Sequence, residues 1–513
     1  MGGQPSKVAA PLADEKRAVE RFRAMNIRSC DEGDYVDIGG GENEKGGGPG
    51  APNREAEGLP LDAVAALPST ILRDPKNRLA LAALSSANPT HVLTQLSAQI
   101  ADQQIFNVKI PFEGAPITNQ RSSGRCWLFA STNVFRVALM QRYRLDAFEL
   151  SQAYLFYWDK LEKANWFLEQ VLETAADEPL DGRLVQRLLA DPVSDGGQWD
   201  MVYNLVDKYG LVPQVLYPDS WNAKNSGVLN TAVVNKLREY ALRLRAFAAR
   251  TDPPTPPALL NAMKITMMQE IQKIMTLLLG PPPNPTEAFT WQYNDKDGKA
   301  HELTITPKDF AKNITSSEFR VTSTVIESMV SLVNDPRNEM MSLLTVSRLG
   351  NVVGGRGVSY INVDMDTLKS TCVKMLKAGL PIFFGSDVGQ FANLGTGYMD
   401  LDLIDYEVGI GSNLLGMSKA ERLLTGESQM THAMVLTAVH LDEQTGKPVR
   451  WRVQNSWGAD AGDKGWFVMT DAWMDEFVYQ AVVDPRFCSK EVRDVLKKEP
   501  TVLPLWDPMG SLA

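Results

Sequence analysis

A cysteine at the head of an apolar run is the feature that most constrains the fold and chemistry of this chain. The segment NQRSSGRCWLFA places Cys126 directly after a turn that contains glycine, and apolar residues follow it. A helix that begins here holds the sulfur in its first turn, where the positive end of the helix dipole lowers the pKa of a thiol. The pattern therefore predicts a nucleophilic thiolate at the start of a helix.

Two further segments contain the residue types that such a thiol needs. His432 lies in THAM, at the start of a strand-like segment that continues to Val439, and Asn455 opens NSWG after a second strand-like segment. His432 follows Cys126 by 306 residues, since 432 − 126 = 306. Groups so distant in sequence meet only in the folded chain, as the members of cysteine-based triads do. The three residues therefore predict a triad assembled from distant elements.

These residues resemble the motifs of the papain-like cysteine peptidases, with Gln120 at the place of the oxyanion-binding glutamine. The wide separation of Cys126 and His432 excludes the compact papain form. This separation is similar to the one in the bleomycin hydrolase family, the large intracellular branch of this clan. The resemblance extends from about Asp62 to Ala513 and is highly specific. Its supporting segments are ELSQAYLFYWDKLEKAN, SDGGQWDMVYNLVDKYGLVP, FFGSDVG, THAMVLTAVH and LPLWDPMGSLA.

The resemblance implies a role for each member of the catalytic group. Cys126 is the nucleophile, His432 is its base, and Asn455 holds the imidazole in the useful tautomer. The side-chain amide of Gln120 and the backbone N–H of the cysteine stabilise the tetrahedral oxyanion. Arg125 stands where papain itself has a small residue, and the sequence gives no physical account of its charge.

The resemblance also implies how the substrate is held. Gly196 and Gly197 line the cleft beside the substrate backbone, and Trp457 covers the hydrogen bond between the asparagine and the histidine. The C-terminal tail enters its own active-site cleft, where the carboxylate of Ala513 captures the α-amine of the substrate. Without the family, the glycines form an ordinary turn, the tryptophan belongs to the core and the tail is a frayed terminus.

A tail of this kind predicts an aminopeptidase. By resemblance, the substrates are peptides with a free N-terminus, the carboxamide of bleomycin and homocysteine thiolactone, and the chain assembles as a homohexamer around a central channel. A cathepsin-like endopeptidase is one alternative, and a secondary nucleic-acid-binding or regulatory role is another. The 52 basic and 62 acidic residues, with a net charge of −10, do not support a general electrostatic footprint for nucleic acid.

The predicted fold class is α+β, a papain-like two-lobed core with an N-terminal arm and an inserted helical region. Runs such as LLNAMKITMMQEIQKIMTLLLG repeat apolar residues at helical spacing, and FTWQYNDKDGKAHELTI predicts a hairpin. We expect a Gly-rich N-terminal tail (1–60), a helical arm (61–111), a helical lobe with the nucleophile (112–218), an inserted mainly helical region (219–339), a barrel lobe with the histidine and asparagine (340–484) and a C-terminal segment that enters the cleft (485–513).

Composition agrees with an intracellular enzyme. Four cysteines in 513 residues are too few for a disulfide framework, and no run approaches about eighteen consecutive apolar residues. Early charges, among them Asp14 and Glu15, argue against a signal peptide or a presequence. We expect a mainly cytoplasmic protein, with a mitochondrial pool as the alternative and N-myristoylation of Gly2 left open. No metal-ligand spacing is present, so neither a metal nor another cofactor is expected.

A thiol mechanism without a metal predicts opposite effects of two reagents. Iodoacetamide should abolish the hydrolysis of a fluorogenic aminoacyl amide, because alkylated Cys126 can no longer attack a carbonyl carbon. EDTA should leave the rate unchanged. Release of the fluorescent amine measures both effects. Loss of activity with EDTA and full activity after alkylation would contradict the thiol mechanism.

Overall fold

The structure, a computed structural model, describes residues 58–315 and 326–512. Gly2, most of the predicted N-terminal tail and Ala513 lie outside the described residues. The helices are α1 (Leu61–Ile71), α2 (Pro75–Leu84), α3 (Pro89–Val92), α4 (Leu96–Ala101), α5 (Cys126–Tyr143), α6 (Gln152–Thr174), α7 (Arg183–Ala190), α8 (Trp199–Tyr209), α9 (Trp221–Lys224), α10 (Gly227–Ala248), α11 (Pro257–Leu279), α12 (Pro307–Thr315), α13 (Met365–Lys377), α14 (Tyr406–Ile410), α15 (Lys419–Thr425), α16 (Asp471–Phe477) and α17 (Lys490–Asp494).

The strands are short, apart from those that carry the predicted site. They are β1 (Val108–Lys109), β2 (Phe289–Asn294), β3 (Ala300–Ile305), β4 (Val330–Val333), β5 (Leu343–Val346), β6 (Tyr360–Asn362), β7 (Ile382–Ser386), β8 (Ala392–Asn393), β9 (Tyr398–Met399), β10 (His432–Leu441), β11 (Pro448–Gln454), β12 (Trp466–Thr470), β13 (Val478–Val483) and β14 (Thr501–Leu503). Throughout the two described ranges, no helix combines the length and the apolar character that a membrane crossing requires.

The chain divides into two compact units. The first contains the described residues up to Leu93 together with Tyr406–Gly416. Within it, α14 packs against α2, and a side chain at Gly409 would collide with that of Leu93. Helices α1 and α2 bury none of their own side chains. The second unit, which contains Thr94–Asp405 and the chain from Met417 onwards, holds every described residue of the predicted site.

Helix α5 is buried within the second unit. It begins at Cys126, which confirms the predicted helix start, and all fifteen residues from there to Met140 are buried. A helix covered on every side needs apolar or internally bonded side chains all round, which explains why its sequence shows no polar face. It packs against α6 and β10, and this contact joins the helical part of the unit to its sheet.

Strand β10 is the element that positions the base. It pairs antiparallel with β7 and β11 in a sheet of order β14-β5-β6-β4-β13-β7-β10-β11-β12-β9-β8, and β1 also pairs with it. Nine of its ten residues are buried. His432 is its first residue, and Asn455 directly follows β11, as the sequence predicts. Because the two strands are antiparallel, the start of one lies beside the end of the other.

Helices α10 and α11 pack against each other and against α6. On α11, Met267, Ile271 and Met275 are buried at a spacing of four residues, which places them on one helix face. Met263 and Met268 are partly exposed beside that face. The predicted helices are therefore confirmed, and the methionine cluster contributes to the core. Strands β2 and β3 pair as the predicted hairpin.

Candidate active site

The thiol of Cys126 lies against the start of β10. The backbone N–H groups of Ala433 and Trp127 face its sulfur. Nε2 of His432, the residue before Ala433, is 2.8 Å from Oδ1 of Asn455. Because that amide oxygen can only accept, the imidazole proton is assigned to Nε2 and the unprotonated nitrogen is Nδ1. The fold thus brings the predicted cysteine, histidine and asparagine together.

The asparagine and the imidazole are each held from a second direction. The backbone N–H of Ser456 donates to Oδ1 of Asn455 at 2.7 Å, which fixes the orientation of the amide. The indole of Trp457 stacks on the ring of His432, with 4.6 Å between centroids and 26° between planes. The indole therefore covers the imidazole, and it keeps bulk water away from that face of the ring.

The side chain of Gln120 is fixed at both ends of its amide. Nε2 donates to the carbonyl oxygen of Ser123 at 2.7 Å, and Oε1 accepts from Oγ of Ser456 at 2.7 Å. Its backbone N–H also donates to the carbonyl oxygen of Ser456, at 2.8 Å. An amide nitrogen carries two N–H groups, so a second donor remains for a ligand. Ser456 therefore links the predicted oxyanion glutamine directly to the asparagine.

The two predicted cleft glycines lie against the residue that follows the nucleophile. A side chain at Gly197 would come within 2.6 Å of the indole of Trp127, so only glycine fits there. The carbonyl oxygen of Gly196 accepts from Nζ of Lys163 at 2.6 Å. Nε1 of Trp127 donates to the carbonyl oxygen of Asp195 at 2.7 Å. The glycine segment is thus a rigid wall rather than a free turn.

A buried ion pair supports this wall. Nζ of Lys160 lies 2.6 Å from Oδ1 of Asp195, and its side chain is fully buried. Burial opposes ionisation of Asp195, but the Lys160 ammonium and hydrogen bonds from Ser226 and Asn230 hold its pKa below the usual range. Oδ2 of this carboxylate accepts the backbone N–H of Gly124 at 3.1 Å. The charge pair therefore holds the turn that leads into α5.

The ionisation of the thiol differs from the sequence-based expectation. Burial raises the pKa of Cys126 to about 11. Burial also lowers the pKa of His432 to about 4. The predicted low thiol pKa is therefore wrong in this structure, because the cost of desolvation exceeds what the backbone N–H donors of Ala433, Trp127 and Cys126 return. Burial therefore disfavours the charged form of each of these two groups.

The C-terminal segment runs between the glycine wall and the start of β10. Nη2 of Arg337 holds Asp507 at 2.7 Å. Further on, the carbonyl oxygen of Ser511 accepts from Nε2 of Gln198 at 2.7 Å, and Oγ of Ser511 donates to the carbonyl oxygen of Met430 at 2.7 Å. Gln198 follows the two glycines and Met430 lies two residues before the histidine. The tail is therefore anchored on both sides of the cleft.

A cavity of about 670 Å³ borders the same tail. Ser194, Ser511 and Leu512 contribute to its lining, whereas neither Cys126 nor His432 does. The two reactive side chains are only 2% and 4% exposed. Open space therefore lies beside the tail, and the thiol itself is covered.

Sequence reasoning missed the groups that hold the site. Arg125 binds both carboxylate oxygens of Asp219, at 2.8 and 2.9 Å. That partner lies 94 residues away. A usable signal for the ion pair behind the glycine wall was the pair Lys160 and Lys163, two cations in YLFYWDKLEKANWF, a run rich in aromatic residues. Such charges in an apolar helix are rarely buried without a partner.

Among the described residues, the other thiols and histidines form no second site of this kind. Cys372 and Cys488 are buried free thiols. His301 pairs with Asp295 at 3.0 Å in the hairpin. Within residues 58–315 and 326–512, no group of three histidine, cysteine or carboxylate residues is arranged to hold a metal ion.

Comparisons with known proteins identify the family of this chain. The sequence model of the Peptidase C1-like family matches residues 58–510. Human (Homo sapiens) bleomycin hydrolase is 42% identical over 467 residues, which cover 89% of this chain and 99% of the relative. The mitochondrial cysteine proteinase 1 of Saccharomyces cerevisiae is 43% identical over 446 residues, which cover 86% and 90%.

A solved structure gives the same result for the fold. The crystal structure of PepW from Lactobacillus rhamnosis HN001 matches with a TM-score of 0.83 and 39% identity, and the match covers 89% of this chain and 99% of that one. This chain therefore belongs to the Peptidase C1-like family, as a cysteine peptidase of the bleomycin hydrolase type. The predicted α+β, papain-like fold class is confirmed.

Burial of the neutral imidazole makes stability depend on acid pH. His432 has a pKa of about 4 in the folded chain and 6.5 as a free side chain. Between these values the unfolded chain binds more protons, so stability falls as the pH drops from 6.5 to 4. The shift corresponds to about 3 kcal/mol. We expect His432→Gln to lose less stability than the wild type over this range, measured by urea unfolding followed by circular dichroism.

The control is His91→Gln, which removes an exposed histidine from α3. Its unfolding midpoints should follow the wild-type curve. Equal pH dependence of His432→Gln and the wild type would show that the imidazole is not held neutral by burial.

Proposed function

We propose that this chain is an aminopeptidase that uses Cys126 as its nucleophile and its own C-terminus as the gate. The observation that carries the proposal is the double anchoring of Ser511, which bonds to Gln198 beside the glycine wall and to Met430 beside the base. A tail held there occupies the space that a longer N-terminal extension of the substrate would need. An amide bond one residue from a free N-terminus is then the bond that reaches the thiol.

The first step is proton transfer and attack. The thiol proton of Cys126 moves to Nδ1 of His432, and the resulting thiolate sulfur forms a bond to the substrate carbonyl carbon. The thiolate and the imidazolium form together with opposite charges, and their mutual attraction offsets part of the desolvation that holds each group neutral by itself. Nε2 of the imidazolium keeps its hydrogen bond to Asn455, which holds the ring in place.

The developing oxyanion requires donors. The free N–H of the Gln120 amide and the backbone N–H of Cys126 at the start of α5 are the proposed pair, and a donor of this type contributes about 10²-fold or more to kcat. The tetrahedral intermediate collapses when His432 gives its proton to the leaving amine. A thioester remains on the sulfur. Water, deprotonated by the same imidazole, then attacks the thioester, releases the acid and restores the thiol.

The second proposed role of the tail is to bind the α-amine of the substrate. We assign the carboxylate of Ala513 to the binding of the positive α-amine of the substrate. The residue lies outside the described residues, so support comes from the neighbouring Ser511, whose carbonyl is fixed in the cleft. The glycine wall at Gly196 and Gly197 then borders the substrate backbone, and Trp457 shields the hydrogen bond between the base and Asn455.

The proposed substrates share an activated or accessible acyl group next to a free amine. They are peptides with a free N-terminus, the carboxamide of bleomycin and homocysteine thiolactone. In the thiolactone, the thiolate opens an activated acyl bond. The human relative carries the name bleomycin hydrolase, which supports the second of these. We propose a mainly cytoplasmic location with a mitochondrial pool. Support for the pool is that the yeast relative is named mitochondrial.

The test compares a fluorogenic aminoacyl amide that has a free α-amine with its N-acetylated twin. The full chain should cleave only the free amine. A variant that lacks residues 510–513 should cleave both, because the gate and the carboxylate are removed together. Cys126→Ala gives the blank for each substrate, and initial rates of amine release are the measurement.

Val502→Ala is the matched control, since this side chain lies earlier in the same segment and is 62% exposed. It should keep the preference for the free amine. Equal cleavage of both substrates by the full chain would contradict the gate and would favour the cathepsin-like endopeptidase.

We also propose that the chain forms a homohexamer. Helices α1 and α2 support this, since they bury no side chain while Leu61 and Leu79 are 86% and 72% exposed. Apolar side chains gathered on exposed helices are typical of surfaces that meet another chain. We expect sedimentation equilibrium to give about six times the chain mass of 56.7 kDa. Leu61→Glu with Leu79→Glu should lower that mass, and a monomeric wild type would contradict the assembly.

A further inference from the structure

Arg125 is a fully buried cation directly before the nucleophile. Its side chain is 0% exposed, and its two terminal nitrogens bind the two carboxylate oxygens of Asp219. The guanidinium carbon lies 5.1 Å from the ring centroid of Phe129 and 5.5 Å from that of Phe156. An apolar pair of similar volume fills such a space at no greater cost in stability. What the arginine adds is the direction of its donors.

The remaining donors of Arg125 point at residues 120–123, the turn that presents Gln120 and is called the oxyanion loop below. Nε of Arg125 donates to Oγ of Ser123 at 2.9 Å, and Nη2 reaches the carbonyl oxygen of Gln120 at 3.4 Å. Oγ of Ser123 in turn donates to the same carbonyl oxygen at 2.6 Å, and the Ser123 carbonyl accepts from the Gln120 side-chain amide at 2.7 Å. One guanidinium therefore fixes both ends of the turn that presents the glutamine.

The counter-ion comes from outside the loop. Asp219 lies at the point where the predicted inserted region begins. The neighbouring Ser220 and Asn222 both donate to the carbonyl oxygen of Leu278, at 3.3 and 3.1 Å, near the end of α11. The carboxylate is therefore tied to the long helices. A second link runs through Ser226, whose hydroxyl donates to Oδ2 of Asp195. The same carboxylate oxygen accepts the backbone N–H of Gly124, the residue before Arg125.

We propose that Arg125, held by Asp219, is the positioning residue of the oxyanion site. It sets the turn so that the free N–H of Gln120 points to the place where negative charge develops. Its own charge is neutralised by the carboxylate and never reaches the substrate. The inserted helical region thus contributes to the rate through this pair, without contact to the substrate. The inference rests on the acyl-transfer chemistry proposed above and adds the residue that makes its geometry precise.

The central variant is Arg125→Lys, which keeps the charge and loses the planar fork. We expect kcat for amide hydrolysis to fall by about 10- to 100-fold with KM nearly unchanged, because a displaced donor stabilises the oxyanion less. The second-order rate of alkylation of Cys126 by iodoacetamide should stay at the wild-type value. That reaction attacks a saturated carbon, so it develops no oxyanion, and it reports the thiol and the imidazole alone.

Arg422→Lys is the matched control. Arg422 is also buried, pairs with Glu476, donates to the carbonyl oxygen of Met417 at 2.6 Å and lies 5.0 Å from the ring centroid of Phe477. Its charge, burial and ring contact are similar to those of Arg125, and its partners Glu476, Met417 and Phe477 lie outside the oxyanion loop. Its kcat and its alkylation rate should both match the wild type. An equal loss of kcat in the two variants would show a general effect of weakening a buried ion pair, and it would overturn the proposal.

A double variant separates positioning from the cost of an unpaired charge. Arg125→Met with Asp219→Leu removes both charges, so no buried ion is left alone and folding is preserved. The loop still loses its donors, and kcat should stay as low as in Arg125→Lys. Wild-type kcat in the double variant, or a slower alkylation of Cys126 in Arg125→Lys, would overturn the proposal. All ratios are taken on whichever of the two amides the wild type cleaves, so cleavage of only the acetylated twin would refute the aminopeptidase assignment and leave this test intact.

Discussion

The packing of α5 against the start of β10 is the contact on which the rest of the site depends. It joins a helix from the first half of the core to a strand that begins at His432, and it places Ala433 against the sulfur of Cys126. Neither element can shift without the other, because fifteen consecutive residues of the helix and nearly the whole strand are buried. Asn455 and the indole of Trp457 follow β11, and Gln120 lies in the turn before α5.

The same burial has a cost. Desolvation raises the pKa of the thiol and lowers that of the imidazole, so it disfavours charge on either group. The protein places its permanent charges behind the site instead, where Lys160 meets Asp195 and Arg125 meets Asp219. These pairs hold the glycine wall and the turn that leads into α5.

Local sequence patterns predicted the parts of this site that local forces determine. The helix start at Cys126, the strand start at His432 and the hairpin of β2 and β3 each follow from a turn signal beside an apolar run. The fold class came from the resemblance to a family. The partner of Arg125 was not predictable, because it is contributed by a segment 94 residues away. The direction of the shift in the thiol pKa was not predictable either. The sequence indicates a helix start and its dipole, but it does not indicate how deeply the thiol is buried.

The anchoring of Ser511 determines where additions to the chain would disturb the site. In most enzymes the terminus is a neutral place, and a few residues can be added there without effect. Here the hydrogen bonds from Gln198 and to Met430 fix a point close to the end of the polypeptide. Under the proposed gate, residues fused beyond Ser511 would compete with the substrate for the cleft. A fusion partner placed on the N-terminal side of the chain leaves these two hydrogen bonds undisturbed.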